Sequence, residues 1–322
     1  MPFVPEVLTK GNYDANTLSL NATHKNDYTD YDVHSLYPLG MAKSTVSALK
    51  SDNDNRPFYL TKGSFSGISS SSGSTPHTNN NRTWDSLNFG LASVLRSQMF
   101  GMPHTGSDVC GYNTNGALDE ELCLRWYQLA TFFPLARHSQ DQTAGAPRTE
   151  PFNFKDANKS SAIKKSMHDR MQYLRLMYTC IFETSDSGGT CLDPIQFRYT
   201  VPQNQWNDQE FANSFLFAGS IKVSPIMNDT KGATTFKSYF PAAKGAWVNL
   251  ADWSETVVGT DDLSTLKVRE TVNAHLAPGA MIPFQDNADM LVQTTNDLLV
   301  KPITLIANRD VNGQAGGSLF LD

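Results

Sequence analysis

The chain has 322 residues, of which 39% are apolar, 11% aromatic and 18% charged, too rich in core-forming side chains for a disordered polymer and sufficient for one large or two smaller cores. Its net charge of −6, from 26 basic and 32 acidic residues, is not blocked into one region and leaves no electrostatic footprint for nucleic acid or an anionic membrane. No apolar run reaches the roughly 18 to 20 residues that would span a bilayer, and the opening "MPFVPEVLTKGNYD" lacks the basic and apolar regions of a signal peptide.

Taken in chain order, residues 1 to about 205 alternate apolar runs with longer helical patterns, the sign of βα units around a parallel sheet. "RPFYLTK" reads as a buried strand. From Asp85 to Met99 the residues Leu87, Leu91, Val94, Leu95 and Met99 share one helix face, with Asp85 suited to the N-terminus. "DEELCLRWYQLATFF" opens on three acids and predicts a second helix after the turn "GYNTNGAL". Ser160 to Glu183 forms the longest helical pattern, with Ile163, Met167, Met171, Leu174, Met177 and Ile181 three or four residues apart. Beyond Phe211 short β-rich runs such as "FLFAGSIKVSPIM", "TTFKSYFP", "STLKVRETV" and "LVKPITLIA" alternate with turn residues. The expected fold class is therefore α/β followed by all-β.

Four cysteines fall in two local pairs, Cys110 with Cys123 and Cys180 with Cys191. That spacing suits two short disulfide loops and an oxidising compartment; four buried free thiols are the alternative. N-x-S/T acceptors stand at Asn21, Asn81, Asn158 and Asn228, a number that chance supplies in a chain this rich in Asn, Ser and Thr.

Phosphate-binding, zincin and nucleophile-elbow motifs are absent from the sequence, and no cofactor or metal is implied. "DYTDYDVH" places Asp30, Asp32 and His34 at alternating positions, where three ligands could share a face, but capping and hydrogen bonding is the commoner use of such a cluster. In "GMPHTGSDVCGYNTN", Asp108 follows a short apolar run and precedes a Cys-Gly turn. A carboxylate at the C-terminal end of a barrel strand commonly faces an active site, so Asp108 is a site candidate, with a buried structural acid as the other reading.

The stretches "YDVHSLYPLGMAKSTVSAL", "RPFYLTKGSFSG", "TWDSLNFGLASVLRSQMFGMPHTGSDVCGYNTNGALDEELCLRWYQLATFFPLARH" and "AGSIKVSPIM" resemble, in order, glycoside hydrolase family 31, the α-glucosidase family. The most specific block is Trp84 to Arg137. The resemblance implies the second half of a (β/α)8 TIM barrel over residues 1–207, a proximal β-sandwich over 208–288 and the beginning of a distal β domain over 289–322. It also implies a retaining mechanism, which needs two carboxyl groups about 5 Å apart. The family's nucleophile segment, "W-x-D-M-N-E", has no copy here. Counting back from Trp84 puts Asn79 at the general acid/base position and Pro76 at the family's tryptophan, and an amide cannot usefully donate the proton.

The family's substrate arginine falls on Lys62, without the planar fork, and its substrate histidine on Ser139 or, with one deletion, on His138. Lys62, Asp108, Arg137 and His138 are thus vestigial substrate-binding candidates. The expectation is an α-glucosidase-like, catalytically degenerate chain, a structural or carbohydrate-binding component of a larger assembly. The alternative is an active retaining α-glucosidase whose nucleophile comes from a separate N-terminal chain. Either reading calls for a partner that covers the open barrel edge, with an α-linked glucan or glycan as the candidate ligand. The expected setting is the secretory pathway, the lysosome or the cell exterior. A glycan on Asn81 would sit at the mouth of the cleft.

Overall fold

The computed structural model describes residues 18–52, 58–70, 80–112, 118–140, 148–206, 209–285 and 294–321. The chain divides into two compact units, Met1–Thr75 and Pro76–Asp322.

In the first unit a single helical turn, Asp30–Val33, passes through a 3-10 turn, His34–Leu36, into helix α1, Tyr37–Asp52. Asp32 closes a capping box with Thr29, accepting its backbone N–H at 3.0 Å and its hydroxyl at 2.7 Å. Asp30 is fully buried and pairs with Nδ1 of His34 at 2.9 Å and Nε2 of His24 at 3.0 Å. Those imidazoles, His34 first, hold its carboxyl below the usual range against the opposing effect of burial. The "DYTDYDVH" cluster thus caps and pairs. "RPFYLTK" departs from expectation: its described part, Phe58–Lys62, makes an isolated bridge at Leu60 and no strand, and Phe58 is exposed.

The second unit opens with helix α2, Trp84–Met99. The Thr83 hydroxyl accepts the Ser86 N–H at 3.2 Å and Asp85 lies in the first turn, favourable to the helix dipole. Leu87, Leu91, Val94 and Leu95 enter the core as their spacing predicts. Met99 does not; it ends the helix, where the chain turns out through Phe100 and Gly101 (φ 73°), and it is exposed. Strand β1, Gly106–Val109, pairs in parallel with β2, Leu135–His138, and helix α3, Glu120–Ala130, crosses between them. This is one βαβ unit. Asp119 caps α3 by accepting the Leu122 N–H at 3.0 Å. The buried Trp126 indole donates to Ser107 Oγ at 3.1 Å, fixing the helix to β1. Gly106 permits the close strand contact, since a Cβ there would lie 1.6 Å from the Leu135 carbonyl oxygen.

The long helical pattern is two helices, α4, Ala157–Gln172, and α5, Leu174–Ser187, broken at Tyr173 (φ −92°, ψ 3°). The break seats the buried Tyr173 ring 5.5 Å from Phe132 and 5.9 Å from Phe284, a packing gain that overrides local periodicity. Arg170 of α4 donates to the carbonyls of Ala130 at 2.8 Å, Pro134 at 2.9 Å and Phe133, closing the last turn of α3 and the connection into β2. Desolvation lowers its pKa to about 10, so it stays charged at neutral pH.

Downstream lies the sheet-rich part. Strands β3 (Leu192–Pro194), β4 (Phe215–Phe217), β5 (Ile221–Ser224), β7 (Ala246–Asn249), β8 (Thr256–Val258) and β10 (Asn273–Leu276) form one sheet in the order β3-β4-β5-β10-β7-β8. Strands β6 (Thr235–Tyr239) and β9 (Leu263–Lys267) pair antiparallel, as do β11 (Ala280–Gln285) and β12 (Ile303–Asn308). "LVKPITLIA" is only partly strand; a helical turn, Thr295–Leu299, precedes it, and Pro302 stands just before β12. The class is therefore α/β followed by β. Among the described strands only β1 and β2 form a parallel ladder, whereas β3 joins the antiparallel sheet.

Two buried basic side chains shape this region. Lys222 donates to Ser214, Ser224 and Ser238 hydroxyls at 3.2, 2.5 and 2.6 Å and lies 4.0 Å from the Phe240 ring centroid. His275 is kept neutral, its pKa driven down to about 3 by burial first and Lys222 second.

Arg170→Ala should strip the α3 carbonyls of their cap and lower stability by about 2 to 3 kcal/mol, with Arg170→Lys restoring only part because a point ammonium cannot serve carbonyls spread over five residues. Thermal unfolding of the three proteins checks this. The folded-state pKa of His275 lies below its unfolded value near 6.5, so its contribution is complete above that pH and drains away as the pH falls towards about 3. Denaturant titrations between pH 7 and pH 4 should show His275→Gln with the shallower loss, by up to about 1.4 kcal/mol per pH unit.

Candidate active site

The site lies at the carboxyl ends of β1 and β2. Parallel register sets Asp108 opposite Arg137 and Val109 opposite His138. Asp108 is fully buried, and its Oδ1 accepts from both Nε (2.9 Å) and Nη2 (2.7 Å) of Arg137, whose side chain is 43% exposed. A desolvated carboxylate is thereby matched by a cation that still reaches solvent.

His138 Nε2 lies 2.7 Å from the Thr149 hydroxyl, which itself donates to Gln140 Oε1 at 2.5 Å. With its one proton committed, that hydroxyl accepts from His138, which assigns the proton to Nε2 and leaves Nδ1 as an acceptor. The ring stacks near Tyr127, with centroids 6.3 Å apart and planes at 17°. Burial depresses the His138 pKa; Glu150 and Asp108 oppose that effect, whereas Arg82 adds to it. The imidazole is therefore neutral at physiological pH. Burial and then Glu150 push the Tyr127 phenol up to about 12.

Past β1 the backbone reverses through Cys110 (φ 67°) and Gly111 (φ 77°). A Cβ on Gly111 would sit 2.8 Å from the Arg82 Cα, so glycine admits the loop that carries Arg82. Arg82 is buried and its Nε donates to the Cys110 carbonyl at 3.2 Å. The Cys110–Cys123 disulfide ties the end of β1 to α3, and Cys180–Cys191 ties α5 to the start of β3, with Cα separations of 4.5 and 5.7 Å.

Of the candidates, Asp108, Arg137 and His138 are brought together at the ends of β1 and β2. Lys62 belongs to the first unit and is exposed, while Asn79 and Pro76 lie outside the described residues. Asn21, Asn81, Asn158 and Asn228 are all exposed. Sequence reasoning missed Arg82, Tyr127, Gln140 and Thr149. A cation two residues before Trp84 was a usable signal for Arg82; the other three belong to no motif. Among the described residues no group of three or more His, Cys, Asp or Glu is arranged to hold a metal ion, and no helix is long and apolar enough to cross a membrane.

The family model for the glycosyl hydrolases family 31 TIM-barrel domain matches residues 5–180. The chain belongs to glycoside hydrolase family 31. Among family 31 relatives it is 32% identical to an alpha-glucosidase of Hordeum vulgare over 306 residues, covering 94% of this chain and 32% of that protein. It is 28% identical to the lysosomal alpha-glucosidase of Mus musculus over 345 residues, covering 100% of this chain and 34% of that one. A crystal structure of the glucosidase II alpha subunit superposes with a TM-score of 0.81 at 21% identity, covering 95% of this chain and 32% of that chain. The ER glucosidase II heterodimer, a catalytic subunit with the binding domain of a regulatory subunit, gives 0.73 at 22% identity over 88% of this chain and 30% of that one. The chain thus spans about a third of the length of these relatives.

Removing one partner of the Asp108–Arg137 pair should cost unequally. Arg137→Met strands a buried carboxylate and should lower stability by about 3 kcal/mol, whereas Asp108→Asn leaves a guanidinium that can turn to water and should cost less. Equal losses in paired denaturant titrations would contradict this ordering.

Proposed function

We propose that this family 31 chain recognises an α-linked glucan or glycan at the β1–β2 end and serves as a binding or structural component of a larger assembly, without the family's general acid. The observation that carries the reading is an intact Asp108–Arg137 clamp in a chain whose general-acid position aligns with the amide Asn79. A carboxylate braced by a guanidinium suits sugar hydroxyls, which accept from one and donate to the other. A general acid needs the opposite electrostatics, a carboxyl with a raised pKa. Among the described residues every carboxyl displaced from its ordinary range is displaced downward.

Under this reading residues 1–207 belong to the barrel, 208–288 to the proximal sandwich and 289–322 to the distal β domain. The partner is the chain or segment that completes the barrel, and the heteromeric ER glucosidase II is a precedent for assembly with a second subunit. Two disulfides and relatives from the lysosome and ER favour the secretory pathway, where the four exposed asparagines would be open to glycosylation.

The second reading is an active retaining α-glucosidase with its nucleophile supplied by another chain. The similarity to proteins named alpha-glucosidase over 94 to 100% of this chain favours it. Denaturing mass spectrometry of the natively purified assembly, followed by turnover of a chromogenic α-glucoside, separates the two. The expected result is glucoside binding without turnover; hydrolysis that disappears in a folded Asp108→Ala protein would sink the degenerate reading.

A further inference from the structure

We propose that Arg82 forms an oxyanion-recognition point at this site, so that the saccharide it takes carries a carboxylate, sulfate or phosphate group. This rests on the saccharide reading above. Arg82 is 8% exposed. Its guanidinium has five N–H donors; Nε is used on the Cys110 carbonyl, and neither Nη1 nor Nη2 has a hydrogen-bond partner among the described residues. A buried cation left this way is a strong anomaly, because buried charges are ordinarily paired and hydrogen-bonded.

The neighbouring groups do not relieve it. Asp108 Oδ1 is taken twice by Arg137. Glu150 is engaged by Arg148 at 3.2 Å and Asn153 at 3.2 Å. His138 is neutral, and Arg82 is close enough to help keep it so. Among the described residues, the end of β1 and β2 therefore sets the guanidiniums of Arg82 and Arg137 against one buried carboxylate, Asp108, with Glu150 partly exposed and engaged by Arg148. A neutral glucoside would leave that imbalance in place. An oxyanion would accept the two terminal nitrogens of Arg82 side by side, the fork geometry that distinguishes Arg from Lys. The placement also fits: the Cys110 carbonyl that holds Arg82 lies just beyond the C-terminal end of β1, where barrel proteins bind their substrates.

The test uses the natively purified protein and Arg82→Gln, which deletes an unmatched buried charge and should fold at least as stably. Calorimetric titration with methyl α-glucuronide, glucose 6-phosphate, glucose 6-sulfate, inorganic phosphate and methyl α-glucoside compares the probes. At least one anionic sugar should bind more tightly than methyl α-glucoside and lose about tenfold or more in Arg82→Gln, a larger loss than methyl α-glucoside shows, as expected for charge-assisted hydrogen bonds. Thermal shift gives an independent readout: the anionic sugar should raise the melting temperature of the wild type and not of the variant. No binding of any anion, or equal binding by the two proteins, would overturn the proposal and assign Arg82 to a carboxylate supplied from elsewhere in the protein. Inorganic phosphate binding as tightly as the sugar phosphate would overturn its saccharide part. The glucoside arm reports separately on the proposed function: anionic sugar bound without any glucoside affinity would defeat the α-glucoside reading alone.

Discussion

A fully buried carboxylate at the end of a parallel strand must find its counter-charge within a few ångströms, and in this chain that requirement organises the site. Asp108 finds Arg137 only because β1 and β2 pair in one register. A slip of one residue would turn Arg137 to the other face and strand the charge. Several contacts hold the register at once: Gly106 lets the strands close, Trp126 fastens α3 to Ser107, and Arg170 pins the carbonyls that lead into β2. None of these residues touches the site. Each is a condition for it, which is why packing and electrostatics cannot be treated separately here.

The same end of the sheet is asymmetric in charge. His138 is kept neutral by burial, its proton assigned to Nε2 by a hydrogen-bond chain through Thr149 to Gln140. Arg137 is matched and partly solvated; Arg82 is buried, and its two terminal nitrogens have no partner among the described residues. Glu150 acts in the opposite sense, adding to the rise of the Tyr127 phenol and offsetting part of the depression that burial and Arg82 impose on His138.

Much of the fold was legible because it rests on local signals. The N-terminal acids of α3, the first-turn acid and apolar spacing of α2 and the β-rich run beyond Phe211 all follow from short-range chemistry. Tyr173 breaks a periodic pattern because its ring is needed between Phe132 and Phe284, and the Phe58–Lys62 run makes a bridge at Leu60 in place of a strand. The first depends on contacts distant in sequence. At the site, Asp108, Arg137 and His138 were readable from a motif. Thr149 and Gln140 were not, since their role exists only as a hydrogen-bond chain that closes in space.

Binding and catalysis ask different things of the same carboxylate. Orienting a sugar requires a fixed, ionised acceptor, which an arginine partner secures across a wide pH range. Transferring a proton requires a group that changes charge near the working pH, which the same arginine would prevent. A clamp of this kind therefore retains its value as a recognition element after the acid is lost, and its geometry alone is no evidence of turnover. What the clamp does constrain is the ligand's charge. With Asp108 matched by Arg137, any group that settles beside Arg82 must satisfy a cation that the described residues leave unmatched.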